Sequence, residues 1–457
     1  MKPIMSPEAW GLHVISGKEL ALGNHGLAGL ARKYGTPLHV VNEKRLMKNA
    51  SGFCEAAVKS YPGRVTVYYA MKCNSVPAVV DAVLRTGPGL EVMTEYELGL
   101  ALKLGCPPES IIVNGPCKTD QFLARCIDAR VRLVIVDSIA ELRILDALSR
   151  ARGIRSDVLL RVNPDFTPRG LNRGTATGSR RGCAFGLDLK SREVRKALAA
   201  FAGLPGVRFQ GFHLHIGTGI RHPEEYAHAL RCLDPLKEAA ARAELPIGIL
   251  DVGGGFAAPT TRELGTGEFL LYQALGRLPG KSAEEECGTA GEYAAAVAGA
   301  VMERFAPDEL PEILFEPGRC IASDAQVLLL TVQRVKERPG VGRWLIADGG
   351  LSTVSLPTYY EYHEVLLCND IRRPRTSRAT IIGPACFAGD VIYRNKLMPE
   401  VHPGEIIAVM DSGAYFTAME SSFGFPHPAI VAVNGATCKL VRTRETFDEM
   451  VSRDVFD

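Results

Sequence analysis

From about residue 65 to residue 316, short runs of Val, Ile and Leu alternate with segments whose apolar residues recur at helical spacing. The runs are VTVYYA (65–70), GLEVM (89–93), IIVNG (111–115), LVIVD (133–137), VLLRVN (158–163), FQGFHLHIG (209–217), IGILDVGGG (247–255) and EILFEPG (312–318). GLEVM carries the thinnest signal, being short and opening on glycine. The intervening segments hold helix punctuation. Pro77 suits a first turn before AVVDAVL. Thr94 with Glu97, and Ser138 with Glu141, have the spacing of capping boxes. Gly87 and Gly105 stand where helices should stop. Continuous apolar strands alternating with helices predict a parallel sheet covered on both faces. Eight such units predict a (β/α)8 barrel, with an open doubly wound sheet as the competing arrangement.

After residue 318 the pattern changes. AQVLLLTVQRV, RWLIADGG, ATIIGPAC and EIIAVMDSG are strand-like, with few helical stretches between them, which predicts an all-β domain. The expected organisation is an N-terminal segment, 1–40, that joins the β-domain through TPLHVVN. The barrel follows over 41–318, with an insertion on a βα loop at 257–290, and the β-domain over 319–457.

Composition narrows the class. A chain of 457 residues has room for two or three domains. Its formal charge of +2 gives no field for nucleic acid or an acidic membrane. No apolar run is long enough to span a bilayer, and MKPIMSPEAWGLHVIS lacks a signal-peptide core. Twelve scattered cysteines without a CxxC pair read as reduced thiols, so the expected location is cytoplasmic.

Barrel enzymes carry their chemistry at the C-terminal ends of the strands. Here those ends bear Lys72, Glu91, Asn114, Asp137, Arg161 with Asn163, His215, Gly253-Gly254-Gly255, and Glu316 followed by Gly318 and Arg319. Lys72 alone is equally a lysine snorkelling from the barrel mouth or a Schiff-base nucleophile. The three glycines are either a flexible turn or a place where backbone N–H groups approach a phosphate. In EPGR (316–319), Arg319 suits a phosphate or carboxylate and Glu316 a cationic nitrogen; the plainer reading is a surface turn with an ion pair. His213 and His215 share a strand face, which leaves a metal-dependent hydrolase as a rival.

Taken in order, YAMKCN, HLHIGTG, DVGGG, EPGR, GPACFAGD and SGAY resemble the pyridoxal-phosphate decarboxylases of the alanine-racemase-like fold, the diaminopimelate, ornithine and biosynthetic arginine decarboxylases. The resemblance covers roughly residues 35–430. It implies a (β/α)8 barrel with a C-terminal β-domain, pyridoxal phosphate as cofactor, and a homodimer with active sites at the subunit interface. It further implies that Lys72 binds the cofactor covalently, His215 stacks on its ring, and Glu316 pairs with the ring nitrogen. Gly253, Gly254, Gly255, Gly318, Arg319, Thr218 and Tyr415 fall to the phosphate. Glu91 stands where the family usually has Asp. Cys386 and Asp390 are expected from the other subunit, Cys386 as the acid that protonates Cα. Arg319, Tyr360, Phe387 and Asp390 are the expected substrate contacts. A non-catalytic relative that kept the fold is the further alternative, disfavoured by the intact lysine, glycines, Arg319 and Cys386.

The departures concern the substrate. Ala184 in CAFG replaces a family lysine, and FGFPHP (423–428) replaces a family FNGF motif. Phe387 stands where the family has an acid that grips a distal ammonium, and Leu356 where diaminopimelate decarboxylases place an arginine. Arg262 and Lys281 of the insertion are available to compensate. The expectation is a modified or conjugated amino acid with weak activity on ornithine, lysine and meso-diaminopimelate. Diaminopimelate itself is the alternative.

Overall fold

A computed structural model describes residues 6–169, 182–276, 287–354 and 361–456. The chain forms two compact units. One comprises 49–257 and 286–320; the other comprises 1–48, 258–285 and 321–457.

The first unit contains eight parallel strands: β1 (Val65–Ala70), β2 (Gly89–Val92), β3 (Ile111–Val113), β4 (Leu133–Val136), β5 (Ser156–Asn163), β6 (Val207–Leu214), β7 (Ile249–Asp251) and β8 (Glu312–Phe315). They pair in the order β5-β6-β7-β8-β1-β2-β3-β4, and β4 returns to β5 through Val134 opposite Val158 and Ile135 opposite Leu159. That last pairing closes the barrel and removes the open-sheet alternative. All eight apolar runs are strands, GLEVM included. Tyr68, Ile112, Leu133, Ile135, Leu159, Ile249 and Leu314, drawn from six of the eight strands, pack into one buried cluster. Each such side chain contributes about 1.5–3 kcal/mol by leaving water. The N-terminal side of the strands is tied by polar contacts. Arg132 binds Tyr68 and, at 2.5 Å, Glu312, which also accepts the hydroxyl of Thr66 at 2.5 Å.

Helix ends follow their local chemistry. Pro77 opens Pro77–Leu84, and Gly87 and Gly105 adopt positive φ just past helix ends. The two expected capping boxes form only by half. The hydroxyls of Thr94 and Ser138 accept the Glu97 and Glu141 N–H groups. The Glu97 carboxylate, however, accepts the Met93 N–H at 2.8 Å, one residue too early. Glu141 turns to Lys118 at 2.8 Å, because a fully enclosed ammonium needs an anion.

The second unit is β-rich. Strand Gln326–Arg338 pairs antiparallel with Leu38–Asn42, Gly342–Ala347 and Ile406–Val409. Leu38–Asn42, the TPLHVVN segment, runs parallel to Ala429–Asn434. Arg375–Ile382 joins Gly342–Ala347 and Val391–Pro399. From the insertion, Arg262–Glu263 pairs with Glu361–Tyr362, and Thr266–Leu275 is a helix. Among the described residues no helix is long and apolar enough to cross a membrane.

Candidate active site

Strand β1 ends at Ala70 and the chain turns at once through Met71–Cys73, which presents Lys72 at the barrel mouth. Ala70 lies opposite Glu91 in the β1–β2 register, so the two side chains emerge together, and Lys72 Nζ contacts Glu91 Oε2. The Lys72 side chain keeps about 30% of its exposure, whereas that of Glu91 keeps 1%. Burial pushes the Glu91 carboxyl up to about 7; the Lys72 ammonium pulls it down and the Glu316 charge pushes it further up. An amine thus sits against a carboxyl that exchanges its proton near neutrality.

Glu316 follows β8 and is buried, 2% exposed. The side-chain amide of Asn114 spans the mouth. Its Oδ1 accepts the Gly115 N–H at 2.8 Å, which turns Nδ2 toward His213 Nε2 at 3.1 Å and Glu316 Oε1 at 3.4 Å. His213 Nε2 is 3.6 Å from the same Glu316 oxygen. His215, two residues on, accepts the Gly254 N–H on Nδ1 at 3.3 Å. Burial, helped by the charges of Arg161 and Lys72, lowers the His215 ring to about 3, so it is a neutral, flat, partly exposed ring. Arg161 lies over the Phe185 ring at 4.6 Å and 3.6 Å from Asp137.

The glycine run is a close-packed turn rather than slack chain. A Cβ at Gly254 would meet the Glu316 carbonyl at 2.3 Å, and one at Gly255, where φ is +98°, the Gly217 carbonyl at 2.1 Å. The buried Tyr226 hydroxyl donates to the Gly254 carbonyl at 2.9 Å, and Ile220 N–H to that of Gly255 at 2.8 Å. The turn is therefore held rigidly, with Gly255 half-buried at its end, and a rigid glycine turn is a site where an anion can approach backbone closely. Gly318 packs equally tightly, its Cβ position lying 2.9 Å from that of Cys73. Arg319 is buried and Thr218 half-buried.

The remaining predicted residues belong to the β-rich unit. Cys386 is exposed. Phe387, 51% exposed, meets Phe423 edge-on at 6.2 Å between ring centres. Asp390 is buried, and its carboxylate accepts the Leu351 N–H at 2.6 Å and the Ala385 N–H at 2.8 Å. It is engaged in holding its own loop and does not reach outward. Tyr415 has left-handed backbone, φ +66°. Tyr360, Leu356 and Lys281, and the side chain of Arg262, lie outside the described residues.

Sequence reasoning passed over Asp251 and Tyr226. Asp251 is fully buried and its Oδ1 accepts the Gly253 N–H at 2.8 Å. Its signal was its place two residues before the first glycine of DVGGG. Tyr226 sits in a helix far along the chain, and no local pattern connects it to the turn.

These groups fit pyridoxal phosphate. They comprise an amine with a proton acceptor, a neutral ring to stack, a buried carboxylate for a cationic ring nitrogen, and a rigid glycine turn for a phosphate. Residues 50–323 match the family described as pyridoxal-dependent decarboxylase, pyridoxal binding domain. The chain is 32% identical over 441 residues to a diaminopimelate decarboxylase of Actinosynnema pretiosum, spanning 96% of this chain and 93% of that protein. It is 30% identical over 435 residues to one from Aquifex aeolicus, with 95% of each covered. Among solved structures, the diaminopimelate decarboxylase of M. jannaschii in complex with L-lysine superposes with a TM-score of 0.86 at 26% identity, covering 98% of each chain. With the family model matching more than half of the chain and these relatives spanning nearly all of it, the chain belongs to the pyridoxal-dependent decarboxylases and is a pyridoxal-phosphate-dependent carboxy-lyase acting on an amino acid.

Proposed function

We propose that this decarboxylase acts on diaminopimelate or a close diamino dicarboxylate, as a homodimer whose subunits complete each other's sites. The observation that carries the substrate is the near end-to-end match to relatives named diaminopimelate decarboxylase. It favours that substrate over the conjugated amino acid expected from Phe387 and Leu356.

Bound pyridoxal phosphate supplies an electron sink for the pair left on Cα when carbon dioxide departs. The residues do the rest. Lys72 supplies the attaching amine, and Glu91 Oε2 takes the proton that Nζ must lose before it can act as a nucleophile. His215 stacks on the ring as a neutral imidazole. Glu316 holds the ring nitrogen in its charged form. The glycine turn Gly253–Gly255 and Gly318, with Arg319 and Thr218, form the seat of the phosphate. Cys386 of the second subunit delivers the proton to Cα after decarboxylation.

A second reading rests on one observation. Phe387 brings an aromatic face, paired with Phe423, to the position next to Cys386 where the family has an acid. An ammonium buried there without a partner would cost several kcal/mol, roughly 3–5, and a less charged or acylated side chain would not bear that cost. One assay tests both: kcat/KM for carbon dioxide release from meso-diaminopimelate, lysine, ornithine and their N-acylated forms. The first reading expects meso-diaminopimelate to reach about 10⁴ M⁻¹s⁻¹ or more and to lead the series. An acylated substrate leading by a factor of ten or more, roughly 1.4 kcal/mol, overturns it in favour of the second.

A further inference from the structure

Asp251 ends β7 with its carboxyl fully enclosed. Oδ1 accepts the Gly253 N–H at 2.8 Å, and Oδ2 is buried without a hydrogen-bond partner among the described residues. A carboxyl oxygen of Asp251, one of Glu316 and a ring nitrogen of His213 all lie within 4.8 Å of one another. Two buried carboxyls this close do not both ionise; one retains a proton. The groups around them are His213 on β6, Glu91 on β2, Tyr68 on β1, Asn114 after β3, and Lys72, His215 and Arg161 at the mouth.

The hydrogen bonds indicate where the proton resides. Asn114 aims an N–H at His213 Nε2, so that nitrogen carries a lone pair and has no proton to give Glu316. Burial lowers the His213 pKa, which agrees with a neutral ring. Glu316 is the charged partner, because the Asn114 N–H faces its Oε1 at 3.4 Å and the Lys72 charge at the mouth favours its ionised form. Asp251 has only the Gly253 N–H, and burial, then the charge of Glu316, pushes its pKa well above the usual range.

We propose that Asp251 is held as a neutral carboxylic acid whose proton is directed at Glu316, making it the positioning residue that keeps Glu316 ionised and aligned while its other oxygen anchors the glycine turn. This rests on Glu316 facing the cofactor ring, and it joins the two ends of the cofactor site through a single side chain. Glu316 N–H, in turn, donates to the Gly253 carbonyl at 2.9 Å, so the turn and the carboxylate are coupled through backbone as well.

The test uses the holoenzyme with Asp251→Asn and Asp251→Ala. Asn keeps a neutral donor toward Glu316 and an acceptor for Gly253; Ala keeps neither. D251A is expected to lower kcat roughly 10–100-fold, as loss of a supporting partner typically does, and to shift the visible band of the bound cofactor and its pH titration. D251N is expected to recover kcat to within about fivefold of wild type and to restore the band. Infrared difference spectra of wild type against D251N at neutral pH are expected to show the loss of a protonated-carboxyl C=O stretch. Absence of that lost band overturns the proposal. So does a D251N protein as damaged as D251A, whether in folding, cofactor binding or spectrum. If D251A does not fold, the infrared difference decides. The infrared and visible readouts need no substrate, so failure of the diaminopimelate assay is distinguishable from failure here.

Discussion

The barrel mouth and the loop 383–390 of the β-rich unit, which the proposed mechanism assigns to one reaction, are built in opposite ways. At the mouth every functional group is set by its own chain. Glu91 and Glu316 are almost fully enclosed, yet they face different partners: Lys72 touches Glu91, whose pKa burial raises to about 7, while Asn114 and His213 face Glu316. In the loop the scaffold is equally well fixed. Asp390 takes two backbone N–H groups, and Gly350 and Gly383 lie so close that a Cβ on either would meet its carboxylate at 2.1 Å and 2.3 Å. Yet the side chains the loop displays, Cys386 and Phe387, are exposed in a single chain. The difference is that the groups at the mouth are held against one another inside the barrel unit, whereas the loop displays a thiol and an aromatic ring at the surface, as the proposed shared site requires.

Breaking the mouth should have the largest effect. Lys72→Ala is expected to abolish turnover and the visible band of the bound cofactor, since Lys72 is the partly exposed amine that closes β1 at the mouth and touches Glu91, whereas Lys118 is fully enclosed against Glu141. Retention of a borohydride-fixed cofactor on another lysine, detected by peptide mass mapping, would refute the assignment. Breaking the loop's chemistry should be milder. Cys386→Ala is expected to lower kcat by about 10²–10⁴ with cofactor affinity nearly intact. Mixing C386A with K72A chains should restore part of the activity, because a mixed dimer rebuilds one whole site. Failure to recover on mixing would place both halves in one chain and remove the contrast.

The same contrast explains what the sequence disclosed. All eight barrel strands were legible, because parallel strands buried on both faces read as continuous apolar runs between helix signals. Lys72, the glycines and Glu316 were legible because they terminate those runs. Asp251 was not, since an aspartate closing a strand before glycines looks like ordinary turn chemistry, and only the approach of β8 to β7 gives it Glu316 as a neighbour. The hairpin strands His13–Ile15 and Glu19–Leu22 and the helix Glu43–Ser60 also escaped notice. The first two are too short to show a period, and the helix is cut by polar residues and a Gly-containing SGF. Asp390 was read as a substrate contact because its distance from Cys386 fits the motif; its inward hydrogen bonds are a property of the folded loop.

The loop's scaffold offers a third, smaller break. Asp390→Ala leaves the Leu351 and Ala385 N–H groups without acceptors and is expected to destabilise the protein by roughly 2–6 kcal/mol, at about 1–3 per lost partner. Cofactor absorption should be retained while turnover falls. Loss of the cofactor band with unchanged thermal stability would show that Asp390 serves the cofactor and not the loop.

The smallest expected effect sharpens the mouth itself, through the pH dependence of stability in cofactor-free protein, where Lys72 faces Glu91 as an ammonium. Glu91 has its folded pKa raised, from the ordinary 4.5 to about 7, with burial as the main cause. Between those values the folded state holds more proton than the unfolded state, so stability from this group is full below about pH 4.5 and declines as pH rises through about 7. Depressed acids elsewhere, such as Glu364, change stability in the opposite sense but do so below their unfolded range. They are silent in the window where Glu91 titrates. Urea unfolding of wild type and Glu91→Gln at about pH 5 and about pH 8 isolates the term. The glutamine, neutral at both values, should remove a decline in stability that wild type shows on going from the lower pH to the higher. Parallel profiles for the two proteins would mean that Glu91 stays charged beside Lys72 throughout, and that some other group must take the proton from Nζ.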